Sequence, residues 1–222
     1  MSESVSAESF LHDGVYRCIM KPSFYEKRSD MGREFELKFA ATPQQQALIR
    51  QSFGDFETVT METVYYDTPE GDFSQRHITL RRRLENGVSV CTVKTPACDG
   101  SRGEWECRCV DIRKAVPELC RLGAPEELVQ WCSGPLVETC GARFTRQLKT
   151  VAAGDAVAEL ALDSGVLLGG GKEMPLCEVE VEQKSGSDEA VAAFARQLAA
   201  EFGLKPEERS KLSRAMTLAK ED

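Results

Sequence analysis

Glu34-Phe35-Glu36-Leu37-Lys38 alternates a charged side chain with a large apolar one over five residues. In a strand, residues i, i+2 and i+4 share a side. Glu34, Glu36 and Lys38 would therefore line one face, and Phe35, Leu37 and Phe39 the other. Alone, this is the signature of a half-buried antiparallel strand with a wet face. The fold turns on whether other strands repeat it with complementary charge.

They do. Arg81 and Arg83 share a face within Ile78 to Leu84, and Lys94 follows Thr92 on one side of Val88 to Thr95. Arg102, Glu104 and Glu106 alternate through the strand Gly103 to Val110 and the residue before it; Glu159 and Asp163 share a face of Ala156 to Leu168. Glu178, Glu180 and Glu182 alternate with Val179 and Val181 within Pro175 to Lys184. Like charges on neighbouring strand positions repel by a few tenths to about 1 kcal/mol per pair. Burying such faces is far costlier unless counter-charges accompany them. Carboxylate oxygens suit hard divalent cations such as Mg²⁺ or Mn²⁺, and guanidinium forks match phosphate oxygens bidentately. One closed barrel with both sets turned inward would suit a linear polyphosphate carried with its metal.

The remaining elements fit that barrel. Arg33 to Ala40 and Glu57 to Tyr66 complete the early strands, and Leu136 to Thr150 precedes the long Ala156 to Leu168 segment, which Asp163-Ser164-Gly165 is expected to bend. Asn86-Gly87 between two strands is a strong hairpin signal. Thr42-Pro43 caps a helix over Gln44 to Phe53, and Ser187-Asp188-Glu189 caps another that runs to Phe202 before Gly203. Apolar spacing over 111–134 predicts two short helices, and Glu207 to Lys220 a last one. Eight extended segments joined largely by hairpins predict an α+β fold, an eight-stranded antiparallel β-barrel with flanking helices. Arg146 faces opposite to Arg143 and Lys149 unless a bulge intervenes, which leaves the register of 136–150 open.

Composition narrows the function. In 222 residues, 28 Lys and Arg stand against 36 Asp and Glu, a net charge of −8, which excludes neither a local basic site nor a small anion but disfavours duplex DNA and anionic membranes. Nine cysteines without a Cys-x-x-Cys pair, with His12 and His77 the only histidines, disfavour a zinc centre and fit reduced thiols in a cytoplasmic protein. No His-Glu-x-x-His, Gly-x-Ser-x-Gly or P-loop spacing occurs; Gly169-Gly170-Gly171-Lys172 lacks the following Ser or Thr. Residues 1–31 carry no sustained period and are expected to extend from the main domain, 32–222. Lys27 to Asp30 ahead of Met31 could be encoded by a purine-rich ribosome-binding stretch, making Met31 a second candidate start.

The ordered set of charged strands resembles the CYTH, or triphosphate tunnel, superfamily. Glu34-x-Glu36-x-Lys38 is similar to its ExExK signature, Tyr65-Tyr66-Asp67-Thr68-Pro69 to its tyrosine–aspartate–threonine turn, and Leu80-Arg81-Arg82-Arg83 with Thr92-Val93-Lys94 to its basic hairpin. Arg102-x-Glu104-x-Glu106, Glu159 to Gly165, Glu178 to Glu182 and Ser210-Lys211 follow in order, so the likeness spans about residues 32–219. The resemblance implies a tunnel open at both ends that binds a triphosphate-containing small molecule with Mg²⁺ or Mn²⁺. It assigns Glu34, Glu36 and Glu180 to metal, supported by Glu178 and Glu182. Lys38, Arg81, Arg83, Lys94, Arg102, Arg146 and Lys211 fall to the phosphates, and Glu104, Glu106, Glu159 and Asp163 to orienting bases or the attacking water. Hydrolysis of inorganic triphosphate is the implied activity. Thiamine triphosphate hydrolysis, class IV adenylate cyclase chemistry and a non-catalytic polyphosphate or nucleotide sensor are the alternatives. Apolar strand faces beneath the helices leave a homodimer open. The mass of the native N-terminus tests the second start: a chain beginning at Met1 would rule it out.

Overall fold

The computed structural model describes residues 33–96 and 102–220. The expected extension over 1–31, the start at Met31, His12, Cys18 and Cys98 lie outside those residues. In chain order the elements are β1 (Glu36–Ala40), α1 (Pro43–Phe53), β2 (Glu57–Asp67), α2 (Asp72–Gln75), β3 (Thr79–Glu85), β4 (Val88–Pro96) and β5 (Arg102–Arg108). Then come α3 (Ile112–Arg121), α4 (Glu127–Trp131), β6 (Val137–Ala153), β7 (Ala156–Gly169), β8 (Lys172–Ser185), α5 (Asp188–Phe202), β9 (Lys205–Pro206) and α6 (Lys211–Lys220).

All eight predicted strands are present, with the two-residue β9 as a ninth. They form one antiparallel sheet in the order β5-β4-β3-β2-β6-β7-β8-β1-β9. Its ladder stays open between β5 and β1. Across that gap, among the described residues, a single bridge joins Glu34 to Arg102, with Glu34 N donating to Arg102 O at 2.7 Å and Arg102 N to Glu34 O at 3.0 Å. The sheet is therefore curled until its two sides touch at one residue pair. Glu34 begins the first charged strand face and Arg102 the third, so the join brings both into one lumen.

Local chemistry fixes the turns. Asn86 and Gly87 both have positive φ, 47° and 82°, as a two-residue hairpin requires, and Asn86 Oδ1 accepts from Thr60 N at 2.9 Å. Thr42 and Gln45 form a reciprocal capping box at the start of α1. Asp67 accepts from Thr68 N (2.8 Å), Phe73 N (2.9 Å), Ser74 N (3.1 Å) and Ser74 Oγ (2.6 Å), which folds the expected turn into α2. The last helix begins at Lys211 rather than Glu207, because Lys205–Pro206 pairs with β1 and Glu207 N binds Lys38 O.

Two registers differ from expectation or settle it. β7 runs through Asp163-Ser164-Gly165 with continuous pairing to β6 and β8; its irregularity lies at Val157/Ala158. Gly165 serves close approach instead of a bend: a Cβ there would meet Arg143 O at 2.2 Å and Phe144 Cα at 2.5 Å. In β6 the pairing to β7 is unbroken, with the shift against β2 opposite Tyr65/Tyr66. Arg146 thus points opposite to Arg143 and Lys149, into the lumen.

The outer face is apolar and covered twice. Helices α1 and α5 pack Ile49, Val191, Ala195 and Leu198 on Phe39, Leu160, Leu162, Val179 and Val181. Helices α2, α3 and α4 pack Phe73, Ile112, Val116, Leu119 and Leu128 on Leu80, Cys91, Val93 and Cys107. A third cluster lies on the inner face, where Met61, Tyr65, Phe144, Leu167 and Leu176 meet Ala215, Leu212 and Met216 of α6. Helix α6 packs on the inner face along β6, β7 and β8. Gly169 lets it seat: a Cβ there would lie 2.2 Å from Ala215 O.

Asp67→Ala strips four donors of their shared acceptor beside a buried turn. Urea denaturation should show about 1–3 kcal/mol lost, and a loss under about 0.5 kcal/mol, the range of a surface change, would refute the role given to Asp67.

Candidate functional site

Register brings the sequence-predicted site residues of the strands onto one face of the curled sheet, and Lys211 reaches that face from α6. Glu36 pairs with Glu182, and Glu182 with Glu159, across β1, β8 and β7. Lys38 pairs with Glu180, and Glu178 with Asp163, which pairs in turn with Arg146 of β6. On the other side Arg81 opposes Thr92, Lys94 opposes Glu104, and Thr92 opposes Glu106. The charged faces that alternation alone could leave in water are turned inward: Glu34, Arg81, Arg83, Asp163, Glu178, Glu180 and Lys211 are all buried.

Three charge networks result. In the first, Lys211 Nζ lies 2.8 Å from Asp163, 2.6 Å from Glu178 and 2.6 Å from Glu180. Arg146 forks onto Asp163 at 2.8 and 2.7 Å and also binds Glu180, while Arg214 binds Glu178. In the second, Lys94 Nζ bridges Glu34 at 2.6 Å and Glu104 at 3.3 Å, and Arg81 reaches Glu104 at 3.4 Å. In the third, nearer solvent, Lys184 joins Glu182 at 2.9 Å and Glu159 at 3.6 Å. Arg102 serves the join of the sheet through its backbone.

Burial raises a carboxyl's pKa and lowers that of a base, so the outcome reports how well each charge is compensated. Burial acts against ionisation of Asp163 and Glu180, yet Arg146 and Lys211 overcome it and hold both below the usual range. Glu104 likewise falls to about 2, because Lys94 and Arg81 outweigh its burial. Two carboxylates stay under-compensated. Glu34 is pushed up to about 7 by burial and by the nearby Glu104 and Glu36, against the pull of Lys94, and its Oε2 is buried without a hydrogen-bond partner among the described residues. Glu178 is raised by burial and by Glu180, despite Lys211.

The bases divide in the same way. Lys94 and Lys211 are raised, their carboxylate partners overcoming burial. Arg83 is lowered, by burial first and then by Arg81 and Arg146. Its contacts are weak: Nε to Thr63 Oγ1 at 3.3 Å and Nη1 to Glu85 at 3.6 Å. The lumen therefore holds an under-neutralised cation and under-neutralised carboxylates together.

Among the described residues, the carboxylate oxygens of Asp163, Glu178 and Glu180 lie within 4.8 Å of one another, a hard-oxygen donor set. Three contributors went unassigned from sequence. Arg214 follows Lys211 by one helical turn, a spacing that could have placed it. Lys184 continues the alternation of Glu178, Glu180 and Glu182. Gln46, buried behind the sheet, carries no signal in the sequence.

Comparison with known proteins follows the same outline. The CYTH domain family model matches residues 32–216. An inorganic triphosphatase of Haemophilus influenzae is 27% identical over 175 residues, 76% of this chain and 50% of that protein, so the chain spans about half the length of this curated relative. A solved Pyrococcus horikoshii protein superposes with a TM-score of 0.60 at 27% identity, covering 83% of this chain and 99% of the other. A Hippeastrum protein described as a candidate adenylyl cyclase with a dominant triphosphatase activity superposes with a TM-score of 0.56 at 18% identity, covering 86% and 98%. Among the described residues no helix is long and apolar enough to cross a membrane.

Glu34 gives the site a pH signature. With its folded pKa raised, its contribution to stability is complete below its ordinary value near 4.5 and is lost as pH rises to about 7. Glu34→Gln cannot titrate, so with chelator present its unfolding free energy should gain on the parent's across that window. A difference that stays flat from pH 4.5 to 7 would show that Glu34 is not strained.

Proposed function

The chain belongs to the CYTH domain family, and from that premise we propose that it hydrolyses inorganic triphosphate in its charged lumen with Mg²⁺ or Mn²⁺. One observation carries the reading. Arg83 meets its carboxylate, Glu85, only at 3.6 Å, and Glu34 lacks enough positive charge, although Arg81 stands in the field of both. A ligand of one sign would relieve one and aggravate the other. A polyphosphate with its divalent cation brings both signs at once.

Hard oxygen donors occur at two places. The oxygens of Asp163, Glu178 and Glu180 converge, with Lys211 Nζ 2.8, 2.6 and 2.6 Å from them, so that a cation there would take the place of the ammonium. The buried Glu34 Oε2 is unpartnered among the described residues. Glu34, Glu36, Glu178, Glu180 and Glu182 would hold the metal, which when bound offsets phosphate charge and acidifies water. Arg81 and Arg83, with Lys38, Lys94, Arg146 and Lys211, would grip phosphate oxygens, Arg83 most directly because it is least engaged. Water would attack the terminal phosphorus, the anhydride P–O bond would break, and orthophosphate and diphosphate would leave. Glu104 and Asp163, kept ionised by their basic partners, suit the orientation of Lys94, Arg81 and Arg146 better than proton uptake.

The aromatic side chains favour an inorganic ligand over an organic triphosphate. Trp131 packs on Phe73 and Arg76, and Trp105 lies with α3 on the outer face. On the inner face, among the described residues, the aromatics are Tyr65 and Phe144, both in the cluster under α6. No ring is thereby offered to stack a base or a thiazole.

Phosphate release from tripolyphosphate, thiamine triphosphate and ATP with Mg²⁺ or Mn²⁺ tests the reading. Tripolyphosphate should be turned over best. Glu34→Gln and Glu36→Gln should each cost about 10²-fold or more while the far-ultraviolet spectrum stays unchanged, and Arg83→Met should weaken kcat/KM by about 10²-fold. Binding without turnover would favour a sensor, and faster release from an organic triphosphate would displace the inorganic substrate.

A further inference from the structure

Gln46 is 1% exposed, on the face of α1 that packs against the outer side of the sheet, where most side chains are apolar. A buried amide costs free energy unless it is bonded. Here both ends of the amide are bonded to the sheet. Its Nε2 donates to two backbone carbonyls on adjacent strands, Asp163 O at 2.9 Å and Glu178 O at 2.8 Å. Its Oε1 accepts from Ser164 Oγ at 2.6 Å. Asp163 and Glu178 face each other in the β7–β8 register, and both are 0% exposed. Their side chains project to the opposite face, where Lys211 lies 2.8 Å from the one and 2.6 Å from the other.

The helix that carries Gln46 is held independently. Thr42 and Gln45 cap it, and Gln45 Nε2 donates to Phe202 O at 3.0 Å and Gly203 O at 2.9 Å, tying α1 to the end of α5. One turn after Gln46, Arg50 binds Gln147 of β6 at 2.9 Å. The amide is thus a fixed point against which two strands are set. Simple packing does not need it: an apolar side chain of similar volume would fill the space without the desolvation of an amide.

We propose that Gln46 is a positioning residue that sets, from behind the sheet, the separation of the Asp163 and Glu178 carboxylates in the lumen. The inference rests on those carboxylates belonging to the metal and phosphate site. Residues that orient such groups change affinity or rate by about 10–100-fold when altered, and small misplacements cost comparably in turnover.

Gln46→Met keeps the volume and removes all three bonds; Gln46→Glu keeps the shape but cannot donate to the carbonyls. Ile49→Ala, on the same helix and fully buried, is the control, since it loosens α1 without touching either carbonyl. With all proteins folded, both Gln46 variants should lower kcat for tripolyphosphate about 10–100-fold and speed amide exchange around Ser164 and Val179, with Ile49→Ala keeping kcat within about twofold. Equal kcat in Gln46→Met and the parent, or the same fall in Ile49→Ala, would overturn the positioning role. If the parent hydrolyses no triphosphate, the proposed function fails and Mn²⁺ binding decides this inference. Weakening by about 10-fold or more in Gln46→Met but not in Ile49→Ala sustains it; equal affinity, or no Mn²⁺ binding by the parent, overturns it.

Discussion

Charge compensation inside a curled sheet is the constraint on which the structure depends. Lys211 sits among Asp163, Glu178 and Glu180, with Arg146 bound to Asp163 and Glu180 and Arg214 to Glu178. Taking ions out of water costs several kcal/mol each unless geometry returns it. Removing any one base would strand carboxylates that repel one another across neighbouring strands. Two of these three bases come from α6, so a helix at the end of the chain completes a network begun on β6, β7 and β8.

That inward charge dictates the outside. A strand has two faces, and a sheet whose inner face is charged must build its apolar cores on the outer one. The helices supply them in two groups, α1 with α5 and α2 through α4, over opposite ends of the strand order. The inner face carries its apolar cluster where α6 seats. The same helix that contributes Lys211 and Arg214 therefore also packs on the inner face, through Leu212, Ala215 and Met216.

Within the lumen, compensation is uneven, and the unevenness is informative. Asp163, Glu180 and Glu104 are saturated with bases, whereas Glu34, Glu178 and Arg83 are not. Strain left on both signs in one cavity is what the proposed ligand, a polyanion with its cation, would relieve. The surrounding structure absorbs it: the Glu34–Arg102 bridge fixes one strained carboxylate, and the amide of Gln46 fixes the strand that carries another.

The sequence by itself determined the strands, their alternation and the identity of most lumen side chains, because period-2 patterning and turn chemistry are local. Asn86-Gly87 specified its hairpin, and Glu34-x-Glu36-x-Lys38 with Glu178 to Glu182 specified which faces carry charge. Local pattern has no term for what lies across the barrel. Only the tertiary structure decided that those faces point inward, that Arg146 joins Asp163 while Arg143 does not, and that Gly165 serves strand approach rather than a bend. It also decided that α6 seats on the inner face and that Gln46 reaches two strands more than 100 residues away, since each depends on residues brought together by the tertiary fold.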